Sequence, residues 1–293
     1  MKATVVIPVY NAADTLTACL HGLQAQDFAP DDYEVIVVDD GSTDNSASVA
    51  ASFNVRLIEQ ANQGAPAARN TGLKNARGDW VVFTDADCIP SRSWLSSLVN
   101  AAEADTGSAA FGAAGRTVGY NSTHAAARFV DLMGGLDAER HLSHPAFPFA
   151  PTCNVMYRRS LLEQIGGFDP RYYAYDACDL HARARQLQDG SFPYVGHAIV
   201  LHQHRPSWKA YWKQQRNYGR GLAQFMWHHR DQVQWSLTRE LAAWGRVVAS
   251  ALRASWPGSD DAAIRRRGTF LKEFAQRLGF ASTYWNRAER SRW

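Results

Sequence analysis

Residues 80–88 read Trp80-Val81-Val82-Phe83-Thr84-Asp85-Ala86-Asp87-Cys88, an apolar run that ends in two carboxylates one residue apart. Side chains on a strand alternate with period two, so Asp85 and Asp87 project to the same side. At the carboxyl end of a buried strand in an open α/β sheet, such a pair stands where ligands bind. Like charges that close repel unless a cation lies between them, and hard divalent cations take oxygen ligands. The segment predicts either a Mg2+ or Mn2+ site holding a diphosphate, or acids that cap a helix starting near Ser91. Alone it leaves both open.

Around this stretch the first hundred residues alternate strand and helix. Thr4–Pro8, Glu34–Val38, Val55–Ile58 and Trp80–Thr84 are expected strands. Their Val/Ile runs are continuous rather than alternating, which indicates strands covered on both faces, hence a parallel sheet of βαβ units. Asp14 to Gln26 reads as a helix with Leu16, Cys19, Leu20 and Leu23 on one face. Asp39-Asp40-Gly41-Ser42 ends the second strand, and Thr43 or Asp44 can cap the helix that follows. Gly64 to Asn75 is a helix with Pro66 in its first turn, where the missing N–H costs nothing.

Later elements are less regular. A strand is expected over Ala109–Gly119, then mixed loop and helix up to Pro151, then strands at Cys153–Tyr157 and Ala198–Leu201. Between these last two lie helices over Arg159–Gly166 and Asp179–Gln188, the second capped by Asp179. From Pro206 the pattern is helical: Leu237, Leu241, Trp244, Val248 and Ala251 form one stripe of an amphipathic helix.

With 46% hydrophobic and 20% charged residues in 293, the composition is that of a globular protein and excludes wholesale disorder. The net charge of +3 hides an asymmetry. Residues 1–204 carry 14 Lys/Arg against 22 Asp/Glu, whereas residues 205–293 carry 17 against 6 together with eight of the ten tryptophans. A sheet domain over 1–204 and a basic, Trp-rich helical extension over 205–293 are therefore expected. The extension suits either an anionic membrane surface, with aromatic rings at headgroup depth, or a small helical subdomain whose core the tryptophans form. No nucleic-acid-binding module precedes it, which argues against nucleic acid as a partner.

Cys19, Cys88, Cys153 and Cys178 form no C-x-x-C pair, so neither a zinc signature nor a disulfide framework is present, as in a reducing compartment. Met1 to Pro8 has no signal-peptide character, and nowhere do about 18 apolar residues run together. The expectation is a cytoplasmic chain without a membrane span, or one peripheral on the inner face of the cell membrane.

The ordered series of motifs resembles the family 2 glycosyltransferases, nucleotide-sugar enzymes of the GT-A fold. The matching residues are Val5-Val6-Ile7-Pro8-Val9-Tyr10-Asn11, Val37-Val38-Asp39-Asp40-Gly41-Ser42-Thr43-Asp44, Asn62-Gln63-Gly64, Ala68-Arg69-Asn70-Thr71-Gly72 and Ala76-Arg77-Gly78-Asp79. Asp85-Ala86-Asp87, Arg158-Arg159 and Gly166-Gly167-Phe168-Asp169 continue the series. The resemblance implies an α/β GT-A fold: a Rossmann-like, mostly parallel central sheet flanked by helices, with a C-terminal helical extension. It also implies inverting, Mg2+- or Mn2+-assisted transfer of a sugar from a nucleoside diphosphate sugar to a hydroxyl on a glycan or lipid-linked acceptor.

Residue by residue, the resemblance implies that Pro8, Tyr10 and Asn11 wall a base pocket, with the Tyr10 ring available for stacking. Asp39 and Asp40 would accept from a base N–H or ribose hydroxyls, Asp40 being favoured for the base, and Arg69 would lie near the nucleotide. Asp85 would face the ribose and Asp87 the metal. His202 would stand near metal or diphosphate, with His204 projecting to the same side two residues on. Gln215 and Arg216 would reach diphosphate or acceptor, or else belong to an ordinary basic helix face.

One departure concerns the general base. Where the family carries Glu-Asp-x-Asp-Leu, this chain has Asp176-Ala177-Cys178-Asp179-Leu180, so Ala177 replaces an aspartate often used as the base. Asp176 is the expected base, with Asp179 second. Ala177 also motivates a different class, a catalytically impaired glycan-binding or assembly subunit on the same fold. A sugar-nucleotide pyrophosphorylase would carry a Gly-rich basic loop where Tyr10-Asn11-Ala12-Ala13 stands, and no G-x-G-x-x-G follows the first strand to support dinucleotide oxidoreduction.

Overall fold

The computed structural model describes residues 1–104, 110–120, 122–145, 147–233 and 235–286. The chain forms two units: Met1–Tyr120 with Leu136–Pro170 and Ala177–His202, and Asn121–Gly135 with Arg171–Asp176 and the segment from Gln203. The expected division at 204/205 differs from this one. The segments 121–135 and 171–176 leave the sheet unit to join the helical one, and Trp293 lies outside the described residues.

Eight strands among the described residues build one sheet in the first unit. They are β1 (Ala3–Val9), β2 (Tyr33–Asp39), β3 (Arg56–Glu59), β4 (Trp80–Phe83), β5 (Cys88–Pro90), β6 (Gly112–Tyr120), β7 (Val155–Arg158) and β8 (Tyr194–Gln203), in the spatial order β3-β2-β1-β4-β7-β6-β8-β5. The parallel arrangement expected of the early Val/Ile strands holds across β3-β2-β1-β4. Beyond β4 the sheet is mixed, since β7 runs antiparallel to both β4 and β6, and β5 antiparallel to β8.

Helices α1 (Ala13–Gln24), α2 (Ser46–Ala51), α3 (Ala65–Asn75) and α4 (Trp94–Glu103) make the early crossovers. Val5, Ile7 and Val82 pack into one core with Leu16, Leu20, Leu23, Trp94 and Leu98. Their strand neighbours Val6, Val81 and Phe83 face a second core holding Val155, Tyr157, Phe168 and Leu180. Both faces of β1, β2 and β4 are therefore buried, which is why these strands show no polar alternation, whereas the edge strand β3 ends in exposed Arg56 and Glu59.

Three elements depart from the sequence reading. The three-residue β5 follows Asp87 directly and was not expected. β8 extends from Tyr194, well before Ala198. The helix expected from Asp179 begins at Asp176, so Asp179 lies inside its first turn and is not a cap. Its carboxylate instead meets Arg183 one turn on (Nε 2.8 Å, Nη2 2.7 Å), the spacing at which helical side chains meet. The expected strand start, Ala109, lies outside the described residues.

Following α5 (Ala125–Leu132), α6 (Ala138–Leu142), α7 (Arg159–Gln164) and α8 (Asp176–Leu187), the chain ends in three long helices. These are α9 (Trp208–His228), α10 (Leu237–Ala254) and α11 (Asp261–Tyr284). With α5 they form the second unit. Helices α9 and α11 cross where glycines let the backbones touch: a Cβ on Gly219 would stand 2.0 Å from the Gln276 carbonyl oxygen, and one on Gly279 2.0 Å from that of Arg216. Several tryptophans serve this unit as packing residues. Trp208 lies against Phe129 and Tyr211, Trp212 against Phe274, and Trp235 against Tyr284. No helix among the described residues is long and apolar enough to cross a membrane.

One buried histidine makes the sheet unit sensitive to acid. His181 on α8 is fully buried, takes the Tyr157 hydroxyl at 3.0 Å on Nδ1, and lies against the rings of Phe111 and Phe192. Burial first, and then the charge of Arg185, push its pKa from 6.5 down to about 4. The unfolded chain therefore binds the proton more readily, and the stability present above the ordinary value is lost as pH falls toward the depressed one, by about 2 kcal/mol at about pH 5. Urea unfolding at neutral pH and at about pH 5 is expected to show this loss in the wild type and much less of it in His181→Gln. Equal losses in both would contradict the assignment.

Candidate functional site

The parallel register sets Val9 beside Asp39 and Val6 beside Phe83, so β1, β2 and β4 release their loops on one edge of the sheet. The first two loops are stitched together by short polar side chains. Asn11, held at φ 49°, accepts the Thr43 N–H at 2.7 Å on its side-chain oxygen and donates its own N–H to Ser42 Oγ at 2.9 Å. The N–H groups of Ala12 and Ala13 reach Ser46 Oγ at 2.9 Å and Asp44 Oδ2 at 3.1 Å. A non-glycine residue in the left-handed region carries strain that such fixed bonds hold in place. Pro8 is half-buried there, and the Tyr10 ring is 53% exposed, which leaves a face open for stacking.

Asp39 and Asp40 are both buried but differ in their partners. Asp40 accepts from Gln60 Nε2 at 2.7 Å, from the Gln63 N–H at 2.9 Å and from the Gly64 N–H at 2.8 Å. It ties the β3–α3 loop to the end of β2. A carboxylate has about four acceptor positions, so these three donors leave Asp40 less capacity than Asp39 keeps. Asp39 accepts from the Ser42 hydroxyl and, at 3.3 Å, from the Ser42 N–H. The difference could not be read from Asp39-Asp40-Gly41-Ser42, because the donors to Asp40 come from another loop.

Arg69 is buried on α3, and its Nη2 lies 2.9 Å from Asp85 Oδ1 while its guanidinium stands 5.7 Å from the Phe168 ring. The adjacent Asn70 brackets the Phe168 backbone, donating from Nδ2 to its carbonyl at 2.7 Å and accepting its N–H on Oδ1 at 2.8 Å. Arg183 completes the support of this turn by donating to the carbonyls of Ile165 at 2.6 Å and Gly167 at 2.8 Å. The Arg69-Asn70 pair thus joins the Asp85 end of β4 to the Gly-Gly-Phe turn. Asn70 belongs to the Ala68-Arg69-Asn70-Thr71-Gly72 motif, but its role is not legible there because its partner Phe168 lies 98 residues away.

Beyond Asp85 the chain pairs with β8 through β5, and Cys88 falls opposite His202. That register brings His202 Nε2 to 3.6 Å from Asp87 Oδ1. Donor atoms of Asp87, Cys88 and His202 all lie within 4.8 Å of one another, close enough to share one cation. Burial, then a hydrogen bond with Cys153, push the Cys88 thiol well above its ordinary pKa, and soft sulfur is a poor partner for a hard cation. The oxygen of Asp87 and the nitrogen of His202 are the ligands that suit a Mg2+- or Mn2+-type ion. The buried Cys19 thiol is likewise pushed up, first by burial and then by the charges of Asp87 and Asp85, which marks the negative potential gathered here.

Other expected residues have partners of their own. His204 follows the end of β8 at Gln203, and its Nε2 lies 3.0 Å from Asp131 within the second unit. Gln215 shares a buried row of α9 with Tyr211 and Gly219, and its side-chain oxygen accepts from Gln276 at 2.8 Å. Arg216 beside it is exposed. Asp179 is buried against Arg183, whereas Asp176 is half-exposed at the start of α8, directly after Tyr175 at φ 72°.

Comparison with known proteins gives a consistent result. Residues 4–166 match the Glycosyl transferase family 2 profile. The chain is 31% identical over 257 residues to Glycosyltransferase AglE of Haloferax volcanii, covering 82% of this chain and 79% of that one. It is 30% identical over 240 residues to a pre-mycofactocin glycosyltransferase of Mycobacterium tuberculosis, covering 78% of this chain but 48% of that longer protein. Among solved structures, the mannosyltransferase PcManGT of Pyrobaculum calidifontis, in complex with GDP-Man and Mn2+, superposes with a TM-score of 0.68 at 21% identity, covering 98% and 88% of the two chains. Residues 1–349 of S. aureus TarS in complex with UDP-GlcNAc give a TM-score of 0.57 at 19% identity over 98% and 93%.

Because Asn70 satisfies both polar groups of Phe168, Asn70→Ala is expected to destabilise the protein by about 1–3 kcal/mol. Urea unfolding measures this directly, and an unchanged midpoint would show that the bracket does not hold the turn.

Proposed function

The chain belongs to glycosyl transferase family 2, and from that premise we propose that it moves a sugar, with inversion, from a nucleoside diphosphate sugar to a hydroxyl acceptor. It is a glycosyltransferase of mixed α/β, GT-A architecture. The observation that supports the finer reading is the approach of His202 to Asp87, two residues beyond the Asp85–Arg69 pair that follows β4.

In this reading the donor base stacks on the exposed Tyr10 between Pro8 and Asn11, and its N–H donates to Asp39. Asp85, oriented by Arg69, accepts from the ribose. Asp87 and His202 would hold Mg2+ or Mn2+, which would neutralise charge building on the departing diphosphate. The acceptor oxygen attacks the anomeric carbon opposite the leaving group. The new C–O bond forms as the carbon–phosphate-oxygen bond breaks, and the electron pair leaves with the nucleoside diphosphate. The hydroxyl proton passes to a carboxylate, for which Asp176 is the candidate because Arg183 engages Asp179. GDP-Man and UDP-GlcNAc in the related structures support a nucleoside diphosphate sugar as donor.

The acceptor we propose is lipid-linked, with the enzyme peripheral on the inner, cytoplasmic face of a membrane. The strongly basic residues 205–293 support this reading. Ala177 keeps one competing reading open, a fold-retaining assembly subunit without catalysis.

Two outcomes test the site. A nucleoside diphosphate at about a hundred times its Kd with Mn2+ is expected to stabilise the protein by about 3 kcal/mol. Thermal shift should show Asp87→Asn and His202→Ala losing the Mn2+-dependent part; an undiminished shift in both removes them as ligands. Asp176→Asn is expected to keep nucleotide binding but to lower sugar transfer by about 100-fold or more. Unaltered transfer shows that the base lies elsewhere, and no transfer or donor hydrolysis by the wild type supports the assembly-subunit reading.

A further inference from the structure

Helix α10 lies in the second unit with Ala243, Val247 and Ser250 buried, packed against α11. Its apolar stripe is not part of that contact. Leu237, Leu241, Val248 and Leu252 share one side of the helix, and each is more than half exposed. Trp256, just past the C-terminus, is 64% exposed. A contiguous apolar strip of this kind marks an interaction surface rather than ordinary surface scatter.

Charge identifies the partner. Arg239, Arg246 and Arg253 recur every seven residues on α10, and all three are exposed. The one acid of the helix, Glu240, is engaged by Arg277 Nη1 at 2.6 Å. The accessible part of α10 therefore presents apolar and cationic groups without a free negative charge. A second copy docking stripe to stripe would bring two strongly basic segments together and leave their arginines unneutralised, whereas an anionic lipid surface accepts the leucines and neutralises the charge.

We propose that α10 is an interfacial helix that lies on an anionic membrane, with the Leu241–Leu252 side and Trp256 among the headgroups. The inference rests on the reading of the enzyme as one that serves a lipid-linked acceptor, and it names the surface that meets the lipid. Arginine side chains can extend along the interface while their stems cover apolar surface, so a separation between the two rows is compatible with one contact.

Flotation of the full chain tests this with phosphatidylcholine vesicles, with and without phosphatidylglycerol. Binding is expected only with phosphatidylglycerol, and about tenfold weaker at high salt. Leu241→Asp with Leu252→Asp should lower it about tenfold, and Arg246→Glu with Arg253→Glu at least as much. Mn2+-dependent nucleotide stabilisation, read by thermal shift, should be unchanged in both variants, which shows that they are folded. Failure of the wild type to float overturns the membrane surface while leaving the transferase reading intact if nucleotide binding persists. Flotation without nucleotide binding does the reverse. Light scattering that shows a dimer abolished by the leucine substitutions, with no flotation, assigns the stripe to a second copy instead.

Discussion

Two carboxylates leave one buried strand end one residue apart, and the surrounding structure answers their repulsion in two ways. Asp85 is met by Arg69, a permanent cation that is itself buried. Asp87 is met by His202, whose imidazole is a metal ligand as readily as a base. The first charge is thus compensated by the protein alone. Around the second, the donor atoms of Asp87, Cys88 and His202 lie within 4.8 Å of one another, and that grouping gives a divalent cation its place in the proposed mechanism.

Much of the sheet unit can be understood as support for those two groups. Arg69 and Asn70 are consecutive on α3, so one helix meets both Asp85 and the backbone of Phe168. Asp179, through Arg183, secures the same turn from α8. Asp40 fixes the β3–α3 loop, and Asn11 locks the first loop onto the second. These residues act at a distance from the proposed chemistry by denying its walls freedom to move, which is how a site gains precision.

The fold was largely legible where a repeating pattern governs it. Continuous Val/Ile runs gave β1 to β4 and their parallel sense, and the place of Asp85 and Asp87 at a strand end followed directly. Legibility fell where a residue's role depends on a partner far along the chain. Asp40 takes donors from residues 60–64, His204 meets Asp131, and Gln215 meets Gln276. Nothing local distinguishes Asp39 from Asp40, or His202 from His204, until the strand ends and loop contacts are known. The tail shows the same division: its periodicity located an amphipathic helix correctly, yet Leu237, Leu241 and Val248 of the stripe are exposed, while Ala243 and Val247, outside it, are buried.

Diffraction at the manganese edge from a crystal soaked with Mn2+ and a nucleoside diphosphate sugar addresses the central claim most directly. The account requires an anomalous peak bound by Asp87 and His202 and touching the diphosphate, with the base lying on Tyr10. Manganese or diphosphate found away from the ends of β1, β2 and β4 would contradict it.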